Sequence, residues 1–249
     1  MRARLLAGEP AFAAWTLLAD PSGVEILGTC GFDTVVVDLQ HGAATLDVLP
    51  HLARAIDATP AVAFVRTAGN EPAELMRVLD LGIRGVICPM VSSREEAEAF
   101  VGACRYPPAG IRSYGPMRGA RGNVPDDVAA ANDDVILLAM IETAEALADV
   151  ERIAATPGLD GLFVGPTDLG LSLGLARPGD LTDPELLEHV ETIEQVATSA
   201  GLIAGIHAPD PPRAAEMAAR GSRFISCAVD TDLLRGGAEA ALRTARGSE

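Results

Sequence analysis

Eight short apolar runs, each followed by a longer amphipathic segment, set the architecture of this chain. The runs fall at 13–18, 34–38, 61–66, 85–89, 135–142, 161–164, 202–207 and 223–229. They are rich in Val, Ile, Leu and Phe and are apolar throughout, not alternately. That is how strands buried on both faces read. Helical patterns fill the gaps at 22–30, 45–58, 71–81, 93–104, 143–155, 183–200, 209–220 and 231–246. Start signals support several of them: Thr45 as a cap, Pro72 in a first turn, and Asp183 followed by Pro184. Strict alternation over eight units predicts the α/β class and a closed parallel (β/α)8 TIM barrel, with an open doubly wound sheet as the alternative. The 249 residues match the length of one such barrel, and no low-complexity linker divides them, so one domain over 1–249 is expected. The longest irregular stretch, 105–134, carries four prolines and four glycines, and a loop of that length usually serves function.

Charge excludes whole classes of partner. Nineteen basic residues stand against 35 acidic ones, for a net charge of -16. Such a surface repels phosphate backbones, which argues against nucleic acids and anionic membranes. No run approaches the roughly 18 apolar residues of a membrane span. The basic-then-apolar start is broken by Glu9 and Pro10 and so does not read as a signal peptide. The four cysteines form no C-x-x-C pair, and free thiols in a reducing cytoplasm are expected.

All 19 basic residues are arginine; the chain contains no lysine. A Schiff-base lysine, a pyridoxal-phosphate lysine and a phosphate-loop lysine are therefore impossible. Carbonyl activation by this protein needs another electrophile, and a metal ion is the obvious one.

Barrel enzymes carry their chemistry on the loops after the strands. Here those positions hold Asp38, Gln40 and His41, then Arg66, Pro89 and Met90, then Glu142, the Gly165-Pro166-Thr167-Asp168 turn, His207 and Asp230. Glu142 and Asp168, on adjacent strands, make a pair of hard oxygen donors suited to Mg²⁺ or Mn²⁺. Arg66 can bind a carboxylate in a fork or support a developing enolate, or serve as a structural ion pair. His41, in a polar glycine-flanked loop, is the best general acid/base candidate. His207 ends a buried strand and reads equally as structural or as part of the site. The backbone amides of Gly165 to Thr167 form a turn able to cradle an anion.

The order of these residues resembles the HpcH/HpaI family of metal-dependent (class II) pyruvate aldolases. The matching segments are VVVDLQHG at 35–42, FVR at 64–66, VLDLG at 78–82, CPMV at 88–91, RYPPAGIRSYGP at 105–116, MIET at 140–143 and GLFVGPTDL at 161–169. The resemblance implies a barrel of the phosphoenolpyruvate/pyruvate type. It implies hexamers built from dimers that exchange the last helix, here about 231–249. It makes Glu142 and Asp168 the ligands of Mg²⁺, Mn²⁺ or Co²⁺. His41 becomes the catalytic histidine, supported by Asp38. Arg66 is placed at the keto oxygen, and Asp80 is the acid in the helix after the third strand. Gly165, Pro166 and Thr167 hold the substrate carboxylate. Gln40 departs from the glutamate common in the family, which bears on the proton path. The implied reaction joins or separates pyruvate and an aldehyde through a 4-hydroxy-2-oxo acid. Two alternatives stand beside it. One uses the same site to decarboxylate oxaloacetate or cleave an acyl-CoA, with Arg105, Arg112, Arg118 and Arg121 as the approach for anionic groups. The other is a barrel that binds a 2-oxo acid or a partner without turnover.

Overall fold

A computed structural model describes residues 1–117 and 127–247. Arg118 and Arg121 lie outside the described residues. Eight parallel strands close into a barrel in chain order: β1 (Ala11–Thr16), β2 (Thr34–Asp38), β3 (Val62–Arg66), β4 (Gly85–Cys88), β5 (Ile136–Ile141), β6 (Gly161–Val164), β7 (Ile203–His207) and β8 (Phe224–Val229). β8 pairs with β1, which decides against the open sheet.

Helices α2 (Pro21–Thr29), α3 (Leu49–Asp57), α4 (Pro72–Asp80), α5 (Arg94–Cys104), α10 (Pro184–Ser199), α11 (Pro211–Arg220) and α12 (Asp230–Arg246) fall where the periodicity placed them. The Asp183 side chain caps α10 and Pro72 opens α4. Thr45 does not cap α3. That helix begins at Leu49 with Pro50 in its first turn, where the missing N–H costs nothing, and only the Thr45 carbonyl takes part, accepting from Val48 and Leu49. The 143–155 segment divides into α7 (Ala144–Ala148) and α8 (Val150–Ala154) at Asp149, whose carboxylate accepts from the Arg94 backbone N–H. Three short helices arise outside the expected set: α1 (Arg2–Leu6), α6 (Val128–Asp134) and α9 (Pro166–Ser172).

Two apolar layers hold this together. Val35, Val37, Val65 and Val86 face outward onto the helices. Trp15, Val36, Phe64, Leu138, Phe163 and Phe224 face inward and fill the barrel. The Phe64 and Phe224 rings lie 4.9 Å apart, and Phe163 meets Phe224 at 6.0 Å. Burying each such ring contributes roughly 1.5–3 kcal/mol. Gly85 makes room for them, since a Cβ there would stand 2.0 Å from the Phe64 ring. Trp15 continues the stack toward the C-terminal mouth, 5.9 Å from Phe163, and forms the floor on which the loop residues rest. At the opposite end Arg105 is buried against Asp160 and three backbone carbonyls.

Candidate active site

A cavity of about 400 Å³ opens at the C-terminal mouth of the barrel, walled by Trp15, Asp38, His41, Arg66, His207 and the Gly165–Asp168 turn. Asp38 and Arg66 end neighbouring strands in direct register. Arg66 grips Asp38 with both arms of its fork: Nε donates to Oδ1 at 3.1 Å, and Nη2 donates to Oδ2. Oδ1 also accepts from the backbone N–H of Gln40 and of His41, and Oδ2 from the Trp15 indole at 3.0 Å. Burial pushes the Asp38 pKa up, but the Arg66 and Trp15 hydrogen bonds and the Arg66 charge carry it below the usual range. Asp38 is thus an ionised anchor. It reaches His41 through the backbone and not through the ring, as a proton relay would. The His41 ring itself is exposed and lines the cavity. Arg66 keeps unspent N–H donors beyond the two in the fork, and its guanidinium sits 5.2 Å over the Trp15 ring.

On the other side, Glu142 follows β5 and is 2% exposed. Its Oε1 accepts from the Met90 N–H at 2.7 Å. Met90 takes φ 56, a left-handed conformation rare for a residue with a side chain, and that turn aims its N–H at the carboxylate. Oε2 lies against Gly165, where a Cβ would stand 2.6 Å away. Only glycine leaves this approach open. Burial raises the Glu142 pKa to about 7. The Asp168 charge adds to the rise, while the Met90 N–H and Arg66 oppose it. Asp168 sits in the first turn of α9 and is exposed to the cavity. Neither acid joins an ion pair among the described residues.

Burial and the Asp168 charge disfavour the ionised form of Glu142, and a cation would favour it. The chemistry of the two carboxylates fits a hard divalent ion with positions left for water and substrate. No group of three or more His, Cys, Asp or Glu side chains gathers to hold a metal among the described residues.

Other expected residues lie elsewhere. Asp80 ends α4, outside the cavity wall, and accepts from Arg112 at 2.9 Å. Gln40 touches the site through its backbone and does not line the cavity. Arg105 and Arg112, expected to receive anionic groups, are spent inside the fold: Arg112 pairs with Asp80 and packs over the Tyr106 ring at 4.3 Å. Sequence reasoning missed Trp15, Leu17, Met140 and Val229 as cavity residues. Trp15 carries the one readable signal, a lone tryptophan in a strand run whose indole needs an acceptor.

A family model described as HpcH/HpaI aldolase/citrate lyase matches residues 12–236. The chain belongs to the HpcH/HpaI aldolase/citrate lyase family. Within it, the hydroxypyruvate/pyruvate aldolase of Rhizorhabdus wittichii is 37% identical over 239 residues, covering 96% of this chain and 95% of that one. The 4-hydroxy-2-oxo-heptane-1,7-dioate aldolase of Salmonella paratyphi C is 36% identical over 239 residues, covering 95% and 90%. A family protein of Burkholderia cenocepacia superposes with a TM-score of 0.90 at 32% identity, covering 98% of each chain. The HpcH/HpaI chain described here is a carbon–carbon lyase.

Proposed function

We propose that the chain is a divalent-metal-dependent aldolase that cleaves or forms 4-hydroxy-2-oxo acids, with pyruvate or another 2-oxo acid and an aldehyde as the smaller partners. The observation that carries this reading is one cavity lined by Asp168 and the Asp38-anchored Arg66, with the buried Glu142 carboxylate packed against the cavity residue Gly165 and feeling the charges of both. Glu142 and Asp168 would hold Mg²⁺ or Mn²⁺, with Co²⁺ an acceptable substitute. Such an ion, when bound, withdraws electrons from a 2-oxo acid and acidifies its methyl group.

The chain's own residues do the rest. The N–H groups of Thr167 and Asp168 in the first turn of α9 orient the substrate carboxylate, while the Gly165 N–H is bound to the Ile141 carbonyl and Pro166, which has no N–H, fixes the start of the helix. In cleavage His41 takes the proton of the 4-hydroxyl, the C3–C4 bond breaks, and its electrons flow toward the C2 oxygen beside Arg66. The aldehyde leaves, and the enolate is reprotonated at C3 to give pyruvate. Asp38 keeps Arg66 and the His41 backbone in place. Gln40 positions the same loop through its backbone, and Asp80 holds the 105–117 segment through Arg112.

Pyruvate in D₂O should lose its methyl proton signal in the presence of the protein and Mg²⁺ or Mn²⁺, and keep it in excess EDTA. Absence of exchange with either metal would count against the aldolase reading.

Assembly belongs to the same proposal. α12 leaves the barrel with no buried residue among those described and presents Leu233, Leu234 and Leu242 to solvent. Asp230 pins its start by accepting from the Thr16 hydroxyl and the Leu17 and Leu18 N–H groups. A second copy of this chain, exchanging the same helix, covers that face, and three such dimers make the hexamer. Light scattering should give six chain masses for the wild type and a smaller species for Leu234→Glu. A monomeric wild type would end the assembly reading. No helix among the described residues is long and apolar enough to cross a membrane. The four free cysteines fit a reducing cytoplasm.

A further inference from the structure

We infer that Asp230 is a positioning residue for His41: it fixes the bend after β1, and that bend holds the loop that carries the histidine. The inference rests on the aldolase reading, with His41 as the base. The ladder between β1 and β8 ends at the Trp15–Val229 pair, so Asp230 falls beside Thr16, where the register would continue. Past that point the Leu17 and Leu18 N–H groups have no strand to donate to, and the Asp230 carboxylate takes the place of one. Oδ1 accepts from the Leu17 N–H at 3.0 Å, and Oδ2 from the Leu18 N–H at 3.0 Å. The Thr16 hydroxyl lies 2.6 Å from Oδ2 and 2.8 Å from the Leu18 carbonyl, closing the bend from its other side. An acid in the first turn of a helix is ordinary. This one spends a single bond on its own helix, from the Thr231 N–H at 2.7 Å, and the others on the end of β1.

The bend reaches the chemistry in one step. Leu17 lines the cavity, and its carbonyl accepts from the Ala43 N–H at 2.8 Å. That bond closes the 39–43 loop at its far end. Asp38 Oδ1 holds the near end through the Gln40 and His41 N–H groups. Gly42 lies between the two anchors, where a Cβ would stand 2.3 Å from the Asp38 carbonyl, so the loop folds tightly over the strand end. The His41 ring is exposed, so packing does not aim it and the backbone anchors do. Asp38 is one anchor, and Asp230 is the other, reached through the Leu17 peptide. A hydroxyl proton is transferred only over hydrogen-bond distance, and a base displaced by about 1 Å loses on the order of a hundredfold in rate. Because Asp230 is also the first residue of α12, the seat of that helix and the aim of His41 depend on one carboxylate.

The test follows cleavage of 4-hydroxy-2-oxopentanoate with Mn²⁺ in wild type, Asp230→Asn, His41→Ala and the double variant. Asparagine keeps the shape of the side chain but turns an NH₂ group toward other donors. Cleavage should fall about tenfold to a hundredfold from wild type to Asp230→Asn, and less than about twofold from His41→Ala to the double variant, because misplacing a base costs nothing once it is gone. Mn²⁺ affinity should stay within about twofold of wild type, since Glu142 and Asp168 follow other strands. The His41 ring-proton signals, identified by their absence in His41→Ala, should shift in Asp230→Asn. Thr16→Val removes one contact of the carboxylate and should show the same pattern at a few-fold, which keeps the test open if Asp230→Asn folds poorly. Equal losses in both backgrounds, an unchanged rate or weakened Mn²⁺ binding would make Asp230 a structural residue and overturn the inference. Where a rate is too low to measure, the ring signals decide, and unmoved signals overturn it. A wild type that exchanges no pyruvate protons in D₂O would instead sink the aldolase reading, and the inference with it.

Discussion

Glu142→Gln is expected to abolish turnover while leaving the metal-free protein more stable than wild type at neutral pH. Glutamine keeps an oxygen to accept the Met90 N–H, so the local hydrogen bond survives. What disappears is the charge. Without it the proposed metal site has one carboxylate left, and any metal-dependent exchange of pyruvate should fall by at least about 10³-fold. The stability effect has the opposite sign. The folded-state pKa of Glu142 is raised from 4.5 to about 7, so the native state binds more protons than the unfolded chain within that window. The contribution is fully present below pH 4.5 and is lost as pH rises through 7. The loss is about 3 kcal/mol in wild type, and it is absent in the variant. Urea titrations of the metal-free proteins between pH 5 and 8 measure it. Added Mn²⁺ should restabilise wild type and not Glu142→Gln, because only an ion that binds the native state shifts folding. Retention of wild-type Mn²⁺ affinity by the variant would remove Glu142 from the metal site.

The barrel was legible because its strands are buried on both faces. Runs such as VVVD and GLFV cannot be satisfied anywhere except between an inner and an outer apolar layer. Helix starts were legible where a side chain or a proline sets them, as at Asp183 and Pro72, and illegible at α3, where Pro50 overrides Thr45. α9 was hidden inside the GPTDL motif, which reads as a turn but becomes a helix because Pro166 takes its first position. That Asp38, His41, Arg66 and Asp168 meet at one mouth followed from their places at the ends of strands. Their connections did not follow, because hydrogen-bond partners depend on depth and direction inside the mouth. Asp38 reads as an acid beside a histidine, and only the geometry shows it bound to Arg66, Trp15 and two backbone N–H groups. The same holds for Met90, where left-handed backbone aims an N–H at Glu142 and no residue type announces it.

Arg66→Lys should be nearly as damaging as loss of the metal ligand, and on two counts. The ion pair with Asp38 is buried: Asp38 is fully covered and Arg66 is 8% exposed. A fork that meets both carboxylate oxygens is replaced by a compact ammonium on a flexible stem, which satisfies one at a time. Stability should drop by about 2–4 kcal/mol, below the cost of removing the partner outright because the charge remains. The pH dependence moves with it. The Asp38 pKa is held below its ordinary value, so its contribution is present above that value and lost as pH falls through the folded pKa. Weakening the pair should bring acid unfolding to higher pH. On the proposed mechanism catalysis suffers separately, because Arg66 lines the cavity and its donors left over from the fork would meet the charge that develops on the C2 oxygen. Their loss should cost at least about 10²-fold in the pyruvate exchange rate, measured well below the melting temperature of the variant. The chain's lone tryptophan reports on the same spot, since the guanidinium lies 5.2 Å over the Trp15 ring. A shift in its emission with wild-type exchange would leave Arg66 a purely structural partner of Asp38. Loss of exchange beyond what the folded fraction explains would place it at the reacting oxygen.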